Sequence, residues 1–363
     1  MSAPGGARLE IRLDRIEHNA RTLVEQLRAR GIAVTGITKA TLGAPEVAQA
    51  MLRAGVVGIG ESRIENLEHL RAAGVDAPMT LIRSPLLSQA ARVVASADVS
   101  LNTEVEVIEA LAVAALARGC THGVVLMVEL GDLREGILPA DLPAVVRRTL
   151  ALPGIVLRGI GANLACQSGA VPDDRNMAEL SALISSIETS FGIEIDVVSG
   201  GNSANLDWAL RTADTGRVDN LRIGEAILLG CEPLERTPIA GLHTDAFTLV
   251  AEVIESKVKP TRPWGERRQT AFGRQPERVD TGTTRRVIVA LGRQDTDPDG
   301  LEAPAGMVIL GASSDHLVLD AGDAQCPVGT ELRFGVDYSA LLRTMTSPFV
   351  ARDLQLATAA RRG

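Results

Sequence analysis

The sequence predicts an α/β protein: a (β/α)8 barrel of the TIM type followed by a smaller, mostly β C-terminal domain. Two observations carry this. From Asp14 to Ile223, short runs rich in β-branched or aliphatic residues alternate eight times with amphipathic helical stretches. Beyond about residue 240 the texture changes to alternating strands with no long helix between them. Strand–helix alternation implies a parallel sheet, and eight units in roughly 210 residues match a closed barrel. A doubly wound open sheet is the alternative.

Taken in order, the strand-like runs are Ala33–Thr38, Val56–Gly60, Met79–Ile82, Asp98–Leu101, Gly123–Val128, Ile155–Ile160, Glu194–Val198 and Asp219–Ile223. Helical spacing appears in Pro45–Ala54, Ser62–Ala73, Glu104–Arg118 and Met177–Ser190. Pro45 suits a first helical turn, and Val47, Met51 and Leu52 form one apolar face. The later strands are Phe247–Val253, Arg286–Leu291, Met307–Leu310, Leu317–Leu319 and Glu331–Val336, with a basic hairpin or loop from Lys257 to Arg286. Arg8–Leu13 also alternates and is placed to pair with this second domain. The expected division is a barrel over 14–238 and a β domain over 239–363 joined by strand 8–13.

A chain of 363 residues exceeds one ordinary core, which supports two domains. With 45% hydrophobic and 23% charged residues, it reads as a globular enzyme rather than a disordered chain. A net charge of −8 gives no basis for a nucleic-acid partner. Met1–Gly6 lacks the apolar segment of a secretory signal, and no run nears the roughly 20 apolar residues of a membrane span. Cys120, Cys166, Cys231 and Cys326 are scattered without a CxxC pair, which fits reduced thiols in the cytoplasm. No metal site is expected, because His316 and Cys326 lack ligand spacing.

Polar residues gather just after the strands, at the barrel end where such folds keep their chemistry. Lys39 closes the first strand, and a partly desolvated lysine there is able to form a Schiff base; a solvated strand-end lysine reads the same way. Ser199-Gly200-Gly201-Asn202-Ser203 follows the seventh strand, where glycines let the backbone approach an anion, or simply turn into a capped helix. Arg222-Ile223-Gly224-Glu225 follows the eighth. Arg134, in Glu129–Gly136, is a candidate grip for a substrate carboxylate, or one charge of a solvated loop. Cys166 follows the sixth strand.

These stretches resemble the fold-type III pyridoxal-phosphate enzymes, and among them the ornithine racemase branch of the alanine racemase family. The likeness rests on Gly36-Ile37-Thr38-Lys39, Gly60-Glu61-Ser62-Arg63-Ile64-Glu65-Asn66, Gly159-Ile160-Gly161-Ala162-Asn163-Leu164-Ala165-Cys166, the Ser199–Ser203 run and Asn220–Ala226. Gly292-Arg293-Gln294-Asp295, Gly311–His316 and Thr344–Pro348 extend it through the second domain.

The resemblance implies pyridoxal 5'-phosphate carried on Lys39. It places Ser203 with the backbone of Gly224 and Glu225 on the phosphate, and Arg222 at the pyridine nitrogen. Ser199, Gly201, Asn202 and Asn163 fall among the cofactor-binding positions; Asn163 stands where alanine racemases proper have histidine. It further implies a homodimer with composite active sites and a free amino-acid substrate. The stretch matching the family's second-face tyrosine reads Thr270-Ala271-Phe272-Gly273, and Phe272 cannot transfer a proton. Cys166 and Asp315 are the preferred replacements, ahead of His316 and Tyr338, the chain's single tyrosine. Asp295, His316 and Tyr338 are expected at the substrate, with Asp295 and Asp315 suiting a terminal ammonium. The expected activity is racemisation of a basic amino acid, ornithine or lysine. A decarboxylase on the same scaffold and a non-catalytic cofactor carrier are the alternatives.

Overall fold

The structure, a computed structural model, describes residues 6–273 and 279–355. Most of the segment read for a secretory signal lies outside them. The chain divides into two compact units, one comprising Asp14–Thr244 and the other the described parts of residues 1–13 and 245–363.

The first strand, β1 (Arg8–Arg12), is followed by α1 (Leu13–Arg28), and the barrel then begins. Its strands are β2 (Ala33–Ile37), β3 (Gly58–Glu61), β4 (Met79–Leu81), β5 (Val99–Asn102), β6 (His122–Val128), β7 (Ile155–Ala162), β8 (Val197–Gly201) and β9 (Asn220–Ile223). The intervening helices are α2 (Pro45–Arg53), α3 (Ile64–Ala72), α4 (Ala90–Ser96), α5 (Val105–Arg118), α6 (Leu142–Leu150), α7 (Asp174–Phe191) and α8 (Leu206–Arg211), with α9 (Glu225–Leu229) after the last strand. Neighbouring strands pair in parallel, and β2 meets β9 to close the ring, with Gly36 opposite Ile223. The open-sheet alternative is thereby excluded. Every residue of β6 is buried, as a strand requires when both faces are covered. Leu101, Val125 and Met127, with Ile82 and Val99 against them, form one apolar cluster of this unit.

The other unit is an antiparallel sheet, apart from one parallel pair. Its remaining strands are β10 (Phe247–Pro260), β11 (Thr283–Val289), β12 (Leu301–Glu302), β13 (Val308–Ala312), β14 (Leu317–Asp320), β15 (Glu331–Val336) and β16 (Ala351–Gln355), with α10 (Tyr338–Thr346) before the last. The order is β12-β15-β10-β11-β14-β13, and β1 pairs antiparallel with β10 and parallel with β16. The strand expected at 8–13 therefore belongs to this sheet. Leu9 and Ile11 are fully buried. Lys257 pairs with Arg286 and Pro260 with Thr283, so the two ends of the basic stretch lie side by side as antiparallel strands. Within this unit the helix α10 was not anticipated; its N-cap Asp337 accepts from the Ala340 N–H at 2.9 Å.

Residues 231–244 stay with the barrel unit. Cys231 bridges Pro238, and the Asn19 side chain bonds the His243 N–H (2.7 Å), the His243 carbonyl (2.8 Å) and the Ile227 carbonyl (3.0 Å). The expected boundary at 238/239 falls inside this fastened segment.

Candidate active site

Lys39 opens a 3-10 turn at the end of β2, half-buried. The turn is held by Thr41, whose N–H and hydroxyl both donate to the Thr38 carbonyl at 2.9 Å. Beside it, at the end of β3, lies the fully buried Glu61. One carboxylate oxygen accepts from the Ser62 N–H (2.8 Å), the Arg63 N–H (3.3 Å) and the Asn66 amide (3.0 Å). The other oxygen has no partner among the described residues, and neither does the buried Thr38 hydroxyl. Burial raises the Glu61 pKa, against the lowering effect of those donors and of the Lys39 charge.

Arg222 projects from β9 and is buried. Its Nη1 donates to the Ser199 hydroxyl at 2.5 Å, and its Nη2 to the Ala162 carbonyl at 2.9 Å and Asn163 Oδ1 at 3.2 Å. Ser199 in turn donates to Asn220 at 3.0 Å. Burial, with Arg134 adding repulsion, lowers the Arg222 pKa to about 10, so it stays charged at neutral pH. Ser199, expected among the cofactor-binding positions, bonds Arg222 and Asn220 through its hydroxyl.

The cradle expected for the cofactor phosphate centres on Ser203. Its hydroxyl accepts from the backbone N–H of Gly224 (3.4 Å) and Ala226 (3.2 Å). Gly224 packs on Ile37, two residues before Lys39: a β-carbon there would sit 3.0 Å from the Ile37 Cβ. Gly201 has φ +148, and a β-carbon on it would lie 2.1 Å from the Asn205 Oδ1. Glu225 begins α9. Asn202 turns the other way: its amide donates to Asn163 Oδ1 (3.1 Å), the Leu164 carbonyl (2.9 Å) and the Cys166 sulfur (3.4 Å).

Cys166 is an exposed thiol. Arg134 pairs with Glu135, its Nη2 at 2.5 Å from Oε1. Burial works to lower the Arg134 pKa, yet the Glu135 carboxylate and the Cys166 sulfur leave it raised. The barrel thus brings Lys39, Asn163, Ser203, Arg222 and Gly224 to one end of its strands, with Arg134, Cys166 and Asn202 on the adjoining loops. Sequence reasoning passed over Asp132, whose buried carboxylate joins those loops. Its only signal was a loop more polar than a short connection needs.

The remaining candidates lie in the β unit. Asp315 is 58% exposed at its side chain and pairs with His316 Nδ1 at 2.8 Å, which holds its carboxyl below the usual range. Asp295 is buried and committed: one oxygen accepts from the Gly292 N–H (3.1 Å), the other from the Ser347 hydroxyl (3.0 Å). Arg293 and Gln294 donate their N–H groups to the Ser313 and Ser314 carbonyls, and a β-carbon on Gly292 would lie 2.3 Å from Asp315 Cα. The Arg293 guanidinium stands 5.4 Å from the Phe272 ring. Four segments of the resemblance therefore converge in this unit. Tyr338 starts α10, half-buried.

A pyridoxal-phosphate cofactor needs an amine, an anion cradle and a group at its ring nitrogen. The barrel offers a lysine at a strand end, a hydroxyl flanked by two backbone N–H groups, and a buried cation. Asn163 adds a buried amide nitrogen with no partner among the described residues. These residues fit the group. Among the described residues, no cluster of three or more His, Cys, Asp or Glu is placed to hold a metal ion, and no helix is long and apolar enough to cross a membrane.

Comparison with known proteins agrees with this geometry. The family model described as alanine racemase, N-terminal domain, matches residues 11–233. A lysine racemase of Thermotoga maritima is 39% identical over 350 residues, covering 95% of this chain and 97% of that protein. An ornithine racemase of Acetoanaerobium sticklandii is 34% identical over 352 residues, covering 96% and 99%. Among solved structures, an alanine racemase from Streptomyces coelicolor superposes with a TM-score of 0.76 at 20% identity, covering 96% of this chain and 98% of that one. A D-threonine aldolase from Filomicrobium marinum reaches 0.73 at 16% identity, covering 95% and 92%. At those identities the structural likeness speaks for the fold alone.

Proposed function

The chain belongs to the alanine racemase family, and from that premise we propose that it is a pyridoxal-phosphate-dependent racemase of a basic amino acid, ornithine or lysine. The observation that carries the reading is the buried, charged Arg222 beside the strand end that bears Lys39 and the Ser203 cradle. The two relatives covered almost end to end are a lysine and an ornithine racemase, which supports the basic side chain.

Ser203, with the backbone N–H groups of Gly224 and Glu225, would hold the phosphate, Arg222 the pyridine nitrogen and Lys39 the reactive carbon; Gly201, Asn202 and Asn163 shape the surround, and Ser199 steadies Arg222. When bound, the group supplies an electron sink that makes the substrate Cα–H acidic. Arg222 donates and does not give up its proton near neutral pH. At the ring nitrogen it would donate a hydrogen bond rather than a full proton, which would favour return of the proton to Cα over transamination. Lys39 takes or delivers the proton on one face. On the other we assign the Cys166 thiol, which accepts from the Asn202 amide at 3.4 Å, with the Asp315–His316 pair as the other candidate. Arg134 grips the substrate carboxylate. Asp315, His316 and Tyr338 contribute to recognition, but Asp295 has both carboxylate oxygens engaged within its own unit, which argues for a supporting place. A cytoplasmic homodimer completes the reading.

The test is purified protein loaded with pyridoxal phosphate and incubated with L-ornithine and L-lysine in deuterated water. The expected result is a lysine-bound absorbance band that Lys39→Ala abolishes, with Cα deuteration and inversion. A band without exchange on any amino acid would make the protein a cofactor carrier. Undiminished racemisation by Cys166→Ala would move the second-face role to Asp315–His316.

A further inference from the structure

Two loops of the barrel unit, 129–137 after β6 and 163–170 after β7, are stapled by one side chain. Asp132 is 1% exposed. Its carboxylate accepts from the Gln167 N–H (3.1 and 3.3 Å to the two oxygens) and from the Ser168 N–H (3.0 Å). The Ser168 hydroxyl donates back to the Asp132 carbonyl at 2.6 Å. The first loop is folded to present that carboxylate: Glu129 Oε1 accepts from the N–H groups of Gly131 (2.6 Å) and Leu133 (3.1 Å), and Val128 bridges Ile137.

Each loop carries a non-glycine residue in the left-handed region next to the staple, Leu133 at φ 52 and Ala165 at φ 66. Such backbone persists only where its surroundings over-determine it. Ala165 directly precedes Cys166, and Leu133 directly precedes Arg134. The two strained residues therefore help set the directions of the Arg134 and Cys166 side chains.

We propose that Asp132 is a positioning residue that registers these two loops and so sets where the Arg134 guanidinium and the Cys166 thiol stand relative to each other. Arg134 and Cys166 lie on different loops, and beyond the Val128–Ala162 end of the β6–β7 pairing hydrogen bonds to the Asp132 carboxylate and carbonyl register those loops. The consequence for racemisation rests on the roles given above to Cys166 and Arg134. The geometric claim does not.

The experiment uses the full chain, loaded with pyridoxal phosphate, as wild type, Asp132→Ala and Asp132→Asn. Alkylation of Cys166 by iodoacetamide is followed by peptide mass spectrometry, with the exposed Cys120 as internal reference. A cation held beside a thiol speeds its alkylation. Asp132→Ala is expected to slow Cys166 at least about fivefold while Cys120 and the absorbance band are unchanged, and kcat/KM is expected to fall at least about tenfold. Asparagine keeps one acceptor oxygen, so Asp132→Asn is expected to fall between wild type and Asp132→Ala in both readouts. It also serves alone should the alanine variant fail to fold. A wild-type Cys166 rate in Asp132→Ala, or in Asp132→Asn where only that variant folds, overturns the proposal. A slowed Cys166 in a protein that racemises nothing would overturn the racemase reading and leave the staple standing.

Discussion

His122 shows how much one buried side chain can write into the behaviour of the protein. It starts β6, its Nε2 lies 2.8 Å from the Ser100 hydroxyl, and burial lowers its pKa to about 4. The unfolded imidazole binds a proton as pH drops through about 6.5, whereas the folded one resists until near 4. Between those values the unfolded state holds more protons, so stability falls on acidification. It is fully present above pH 6.5, and the loss approaches about 3 kcal/mol near pH 4. Urea unfolding at neutral pH and near pH 4.5 should show this drop in the wild type and a much smaller one in His122→Gln. At the same scale, Lys39, Ser203 and Arg222 were legible in the sequence because each follows a strand, and barrel topology sends strand ends to one place. The part played by Ser199 was not. Strand alternation aims its side chain at Arg222, and the register shift at Ser199/Gly201 re-aims the residues after it. Asp132 escaped for a related reason: its partners are set by loop conformation, which local pattern does not encode.

Among the elements, α7 has the clearest local code. Asp173 caps the Asn176 N–H at 2.8 Å, and the Asn176 side chain returns to the Asp173 N–H at 2.9 Å. Asp173→Ala should therefore lower stability by about 1 kcal/mol, read from chemical denaturation. Racemisation by that variant should match wild type, because the residue lies outside the machinery described. The capping box also explains why the helix begins at Asp174, ahead of the first apolar-periodic residue at 177. Sequence spacing located α2, α3, α5 and α7 within three residues. It passed over α4 and α8, whose seven and six residues give too few turns for a periodic stripe to declare itself, and also α1 and α6.

At the scale of the whole molecule, the barrel was legible because each of its strands pairs with the next in sequence. The order of the second sheet was not, because β1 and β16 are neighbours there from opposite ends of the chain. Ile11, fully buried on β1, ties that long-range pairing to the core of the sheet. Ile11→Ala should cost about 2–5 kcal/mol in unfolding experiments. The same pairing has a consequence for biosynthesis. Residues 8–12 are made before the barrel, but the strands they must lie between, 247–260 and 351–355, are made after it. The barrel residues come out in the interval, at about 5–20 residues per second. The opening strand thus waits some tens of seconds with an apolar edge unmatched, and the second sheet closes only after residue 355 has left the ribosome. In this protein a segment made before the barrel finds its place only once the barrel has been made.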